Sequence, residues 1–187
     1  MTENPCPEAV LTAEHIALEM YQFAALMLGS EADALRLVEN TVAAVDVDPC
    51  AEPVVAETLV RNRVIDGALE IMRRRDPASF SSVPEPSPGA PCIEDDTTPL
   101  SRAELSDLIG GAGRSRLRAW LDRLSQAQRA VFVQRAVLGQ DNAATAQAIS
   151  RIAWPSVWTP EAVGILFREV LCSLASSLAQ SASGVTA

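Results

Sequence analysis

The chain has 187 residues, 48% of them hydrophobic and 4% aromatic, with a formal net charge of −9 and no lysine. That length and hydrophobic share suit one large domain or two small ones, with cores filled by Ala, Val and Leu. No stretch approaches the roughly 20 apolar residues that cross a bilayer, and Met1-Thr2-Glu3-Asn4-Pro5 lacks the basic-then-apolar order of a signal peptide, so the expectation is a cytoplasmic protein with no membrane partner.

Residues 1–10 contain Pro5 and Pro7 and are expected to fray. Thr12 is a candidate helix cap. Ile16, Met20, Phe23, Ala24, Met27 and Leu28 then recur at helical spacing until Gly29-Ser30. A second helix is expected over about 30–45, with Leu35, Val38, Val42 and Val45 along one side and Asp33, Arg36, Glu39 and Asn40 on the polar face. Asp46 to Pro53 reads as a polar loop. The third helix spans about 54–75. Its stripe is Val60, Val64, Ala68 and Ile71, with Gly67 beside it. Arg61 and Arg63 lie off that stripe. Glu57 precedes Arg61 by four residues, an order that favours a helix. Arg73, Arg74 and Arg75 close the segment, where cations meet the negative end of the helix dipole.

Pro77 to Pro99 holds six of the twelve prolines, with Ser79, Ser81, Ser82, Ser87 and Gly89. Such composition reads as a linker, made more repulsive by Glu94-Asp95-Asp96. A short serine-led helix start follows at Ser101. Gly110, Gly111 and Gly113 break it; with no following Gly-Lys-Ser/Thr, the cluster does not suit a phosphate loop. Leu117, Trp120, Leu121 and Leu124 form the next stripe. Ser125 caps a helix, and Asp141 caps a small one over about 142–149 with Ala144, Ala148 and Ile149 facing inward. The segment Ser150 to Trp158 is then a long connection, in which Trp154 and Trp158 are expected to close the core. Thr159 and Pro160 begin the last helix cleanly. Val163, Phe167, Val170, Leu171, Leu174 and Leu178 make its stripe; Glu161, Gly164, Ile165 and Arg168 point outward near its front. Beyond Leu178 the chain reads as a loose tail. The fold class expected is therefore all-α: two small helical bundles, over residues 10–76 and 101–180, joined by a Pro/Ser-rich acidic linker over 77–100.

Chemistry-bearing residues are sparse. His15 is the only histidine, and Cys6, Cys50, Cys92 and Cys172 are scattered without a Cys-x-x-Cys. Neither a metal site, a cofactor nor a catalytic nucleophile with its base is indicated, so the chain does not read as an enzyme. Scattered cysteines without an export signal are expected to be reduced. Charge is distributed unevenly: residues 1–76 carry −8, 77–113 carry −5, and 114–187 carry +4. An acidic front half is a poor non-specific DNA binder, whereas the last part suits an anion or an acidic partner.

Two segments carry a family resemblance. "VRNRVIDGALEIMRRR" (60–75) resembles the helix of extracytoplasmic-function (ECF) sigma factors that reads melted promoter DNA. Asp33, Ala34, Leu37, Val38 and Thr41 match the family's polymerase-gripping helix, although the acids at its third, fourth and eighth positions are replaced. In the last part, Gln128, Arg129, Val131, Phe132 and Gly139 match the family's helix-turn-helix domain, with Ser125 replacing a proline. The resemblance implies docking on RNA polymerase core or on an anti-sigma factor through Asp33, Arg36, Glu39, Asn40 and Ile165. It also implies DNA contacts from Arg61, Asn62, Arg63, Arg73, Arg74 and Arg168. Three departures thin the DNA side. No aromatic lies between Phe23 and Phe80 to stack on unpaired bases. The turn of the helix-turn-helix is enlarged beyond the usual three or four residues. The last helix offers one arginine between Glu161 and Glu169. A sigma-shaped interaction protein that binds its partner without reading promoter DNA is the alternative.

Overall fold

The computed structural model describes residues 7–45, 53–85 and 114–183, with side chains described over 16–45, 54–85 and 114–177. Among these residues the fold is all-α, with no strand. None of the helices is long and apolar enough to cross a membrane. The chain divides into two compact units, Met1–Ile71 and Met72–Ala187.

In the first unit, α1 (Pro7–Leu28) begins before the expected cap, so Thr12 lies inside the helix and residues 7–10 are helical rather than frayed. Its stripe of Ile16, Met20, Phe23, Ala24, Met27 and Leu28 is buried. Gly29 ends it with φ of 67°, a left-handed turn that costs glycine nothing, and donates its N–H to the Ala25 carbonyl at 3.0 Å. Ser30 then caps α2 (Glu31–Ala44), its hydroxyl accepting the Asp33 N–H at 3.2 Å, and α2 packs on α1. The buried residues of α2 are Ala34 and Val38. Leu35 and Val42, expected on the inner side, are 49% and 50% exposed.

The cause is a choice of face. Helix α3 (Pro53–Arg75) meets α2 at Gly67, where an added Cβ would stand 2.6 Å from Leu37 Cδ1. Turning Leu37 toward α3 turns Leu35 and Val42 away, because residues two or five apart on a helix do not share a side. On α3 itself Val60, Val64, Ile65, Ala68 and Leu69 are buried.

The second unit contains a correction to the expected linker. Residues Pro77–Ser81 form a short helix, α4, capped by Asp76, whose carboxylate accepts the Ser79 N–H at 3.2 Å. Phe80 is fully buried. Compositional bias toward Pro and Ser does not prevent order when one large aromatic reaches a core. The remainder of the expected linker, the Ser101 helix start and the glycines at 110–113 lie outside the described residues.

Helix α5 (Arg114–Leu121) buries Leu117, Trp120 and Leu121. Helix α6 (Gln126–Phe132) opens with a capping box: the Ser125 hydroxyl accepts the Gln128 N–H at 3.3 Å, and the Gln128 side chain accepts the Ser125 N–H at 3.1 Å. It passes into a π-helical turn over Val133–Val137. Asp141 caps α7 (Asn142–Ile152), accepting the Ala144 N–H at 2.7 Å. Thr145, Ala146, Ala148 and Ile149 are its buried residues; Ala144, expected inward, is exposed. Thr159 caps α8 (Pro160–Ser183), which continues through the stretch expected to be a loose tail. Its stripe Val163, Phe167, Val170, Leu171 and Leu174 is buried and packs on α6 and α7. Cys172 is disulfide-bonded, against the expectation of reduced thiols, and its partner lies outside the described residues.

Three hydrogen bonds lock α4 into this unit. The Trp158 indole N–H donates to the Phe80 carbonyl at 2.9 Å, and the Ala127 N–H donates to the Ser79 hydroxyl at 3.3 Å. A third, the Ser156 hydroxyl donating to the Ser81 carbonyl at 3.0 Å, ties the connection before α8 to the same helix.

Candidate partner and nucleic-acid surfaces

Four of the residues expected to meet a protein partner, Asp33, Arg36, Glu39 and Asn40, lie on α2; the fifth, Ile165, lies on α8. Asp33 serves the helix N-terminus and accepts a hydrogen bond from Arg36 Nη2 at 2.7 Å, an ion pair with the Arg36 side chain 71% exposed. Such an exposed i,i+3 pair is worth little, about 0.3–0.5 kcal/mol. Glu39 and Asn40 are exposed. Beside Glu39 stand the half-exposed Leu35 and Val42, which sequence reading assigned to the inner side. Leu35, Glu39 and Val42 follow at four and three residues, so they share one side of the helix. The face is thus apolar residues set among charged and amide groups.

The end of this face opens into a groove of about 490 Å3 lined by Asn40, Thr41, Ala44, Val45, Leu59 and Arg63. Leu59 and Arg63 are four apart on α3, so they form one wall; Asn40, Thr41, Ala44 and Val45 form the other. The groove joins Asn40, expected to meet a protein, with Arg63, expected to meet DNA. Val55, one turn before Leu59, is 59% exposed and extends the apolar wall.

The residues expected to contact DNA are less available than the sequence implies. Arg61 pairs with Glu57 one turn earlier, and its Nε is buried without a hydrogen-bond partner. Asn62 and Arg63 are exposed. Arg73 and Arg74, each engaged in an interaction within the protein, fall beyond Ile71 in the second unit. In α8, Arg168 and Ile165 are half-buried, Glu161 is exposed, and Gly164, expected outward, is buried. Arg168 is engaged as well.

The connection from α7 to α8 covers residues 153–159, and its peptide Trp154-Pro155 is cis. The two tryptophans expected to close the core take different roles. Trp158 is 3% exposed, its backbone N–H donating to the Ser150 hydroxyl at 2.9 Å, while Trp154 is 84% exposed. In a turn without helical periodicity, nothing in the spacing distinguishes them.

Sequence reading gave Arg129 no structural role, yet it is buried. Arg129 Nε donates to the Leu121 carbonyl at 3.0 Å, and its Nη2 reaches the Asp122 carboxylate at 2.7 Å. This residue, matched above to a family position, closes the C-terminal end of α5. Among the described residues no group of His, Cys, Asp and Glu is arranged to hold a metal ion. Comparisons with family models, with curated proteins and with solved structures each returned no match.

Proposed function

We propose that this chain is a divergent ECF sigma-like protein of bacterial transcription initiation, a cytoplasmic and non-catalytic factor that docks on RNA polymerase core with weakened DNA contacts. The observation that carries the docking part is the outer side of α2. Leu35 and Val42 stay about half exposed amid Arg36, Glu39 and Asn40, beside a groove that ends at Arg63. Apolar anchors framed by polar groups are the composition of a protein-binding surface. The identity of the partner rests on the sequence resemblance alone.

The pairing of Arg61 with Glu57 and the half-burial of Arg168 favour a second reading, a sigma mimic that binds an anti-sigma factor or the polymerase without reading promoter DNA. Binding of the purified chain to purified core polymerase by surface plasmon resonance tests the first reading. Leu35→Asp and Val42→Asp should each abolish it with the fold intact by circular dichroism. Wild-type chain that fails to bind core, with or without promoter DNA, removes the sigma reading. Retention of binding by both variants removes the α2 surface.

A further inference from the structure

The groove between α2 and α3 is polar at one end and apolar at the other. Gly67 of α3 stands against Leu37 of α2. The same two helices line the groove, with Asn40, Thr41, Ala44 and Val45 on one wall and Leu59 and Arg63 on the other. Moving away from the Leu37 contact, α2 counts forward while α3 counts back. The register therefore sets Thr41 opposite Arg63 and Val45 opposite Leu59. Asn40, Thr41 and Arg63 form the polar end. Ala44, Val45 and Leu59 form the apolar end, one helical turn or about 6 Å further on. The exposed Val55 continues it.

Two properties of this groove say what it suits. The first is an uncommitted cation. Arg63 is exposed, and neither its side chain nor that of Asn40 makes a hydrogen bond or ion pair within the described residues. No acid lines the groove, and Glu57 of the same helix is held by Arg61. The Thr41 hydroxyl donates to the Leu37 carbonyl at 2.8 Å. The donors left at the polar end are thus the Arg63 guanidinium and the Asn40 amide, and a guanidinium fork matches the two oxygens of a carboxylate. The second is the number of charges. One guanidinium balances one negative charge, while residues 1–76 carry −8, which opposes a polyanion such as nucleic acid or an acidic helix. The volume of about 490 Å3 lies in the range of small-molecule sites.

We infer that this groove binds a small aliphatic monocarboxylate, its carboxylate on Arg63 and Asn40 and its hydrocarbon tail along Ala44, Val45, Leu59 and Val55. The site uses neither Leu35 nor Val42, so it does not depend on the partner assigned to α2.

Calorimetric titration of the full chain with sodium octanoate, paired with a proton–nitrogen NMR titration to locate the site, tests this. Octanoate should shift the amides of residues 40–45 and 59–63. Arg63→Gln should weaken binding by about tenfold or more, the loss of a charged hydrogen bond. The side chain is exposed, so an unchanged thermal melt serves as the folding control. Affinity should rise by up to about fourfold for each methylene added from butanoate to octanoate. Octanol should bind the wild type no better than octanoate binds Arg63→Gln. Leu35→Asp should leave the octanoate isotherm unaltered, which separates this result from failure at α2. Absence of shifts at these residues with millimolar octanoate, or equal affinity in Arg63→Gln, overturns the inference. Equal binding of octanol and octanoate overturns it too, since the groove would then be merely apolar. So does much tighter binding of a short peptide ending in leucine with a free carboxylate, which would assign the groove to a polypeptide end.

Discussion

Removing the Phe80 ring tests whether the proline- and serine-rich segment after α3 belongs to the second unit. Phe80 is fully buried, and its carbonyl accepts the Trp158 indole N–H at 2.9 Å. Truncating a buried phenylalanine to alanine costs about 3–5 kcal/mol, from lost transfer free energy and the cavity left behind. All three tryptophans, Trp120, Trp154 and Trp158, lie in the second unit. Intrinsic tryptophan fluorescence therefore reports its unfolding selectively. With a urea dependence of about 2 kcal/mol per molar for a domain of this size, Phe80→Ala should lower the fluorescence midpoint by about 1.5–2.5 M. Trp158→Phe keeps most of the packing and removes one donor from a buried carbonyl, so a smaller loss of about 1–3 kcal/mol is expected. A midpoint shift below about 0.3 M for Phe80→Ala would show that the segment is a solvated tether and that the packing of α4 described above is wrong.

Three further outcomes follow from the same structure. Arg129→Met should destabilise the second unit by about 1.5–3 kcal/mol in the same assay, since it strips the Leu121 carbonyl of a charged donor; Asp122→Asn, at a side chain 64% exposed, should cost less than about 1 kcal/mol. Ser125→Ala removes one half of the capping box and should cost about 0.5–2 kcal/mol, with Gln128→Ala no larger. Gly67→Ala gains about 1 kcal/mol of helix propensity but forces Leu37 aside, so it should become stabilising only in a Leu37→Ala background; additive effects in a circular-dichroism melt cycle would deny the close approach of α2 and α3.

The parts of the fold legible in the sequence are those where one periodic signal acts alone. The stripes Ile16 to Leu28 and Val163 to Leu174 each have one apolar side, so burial follows spacing directly. Three caps are legible for the same reason: Ser125, Asp141 and Thr159 act within three residues of themselves. Helix α2 is different, because apolar residues occupy two adjoining sides. Which side packs is decided by Leu37 against Gly67, a contact thirty residues away in sequence. Phe80 is hidden by averaging, since its neighbours are Pro, Ala and Ser and composition weighs the segment as a whole. Gly164 reads as outward by spacing, yet α8 packs closely enough there to cover it.

The candidate sites divide along the same physical line. A protein-docking surface requires apolar residues left uncovered by the fold, and that cannot be decided before the packing side of α2 is known. An electrostatic surface requires only that cations share an exposed side without compensating acids. Arg61 does not meet that condition: its motif suggests a DNA contact, but Glu57 one turn earlier already pairs with it. Local compensation of charge, rather than the presence of arginine, decides which cations remain available to a phosphate.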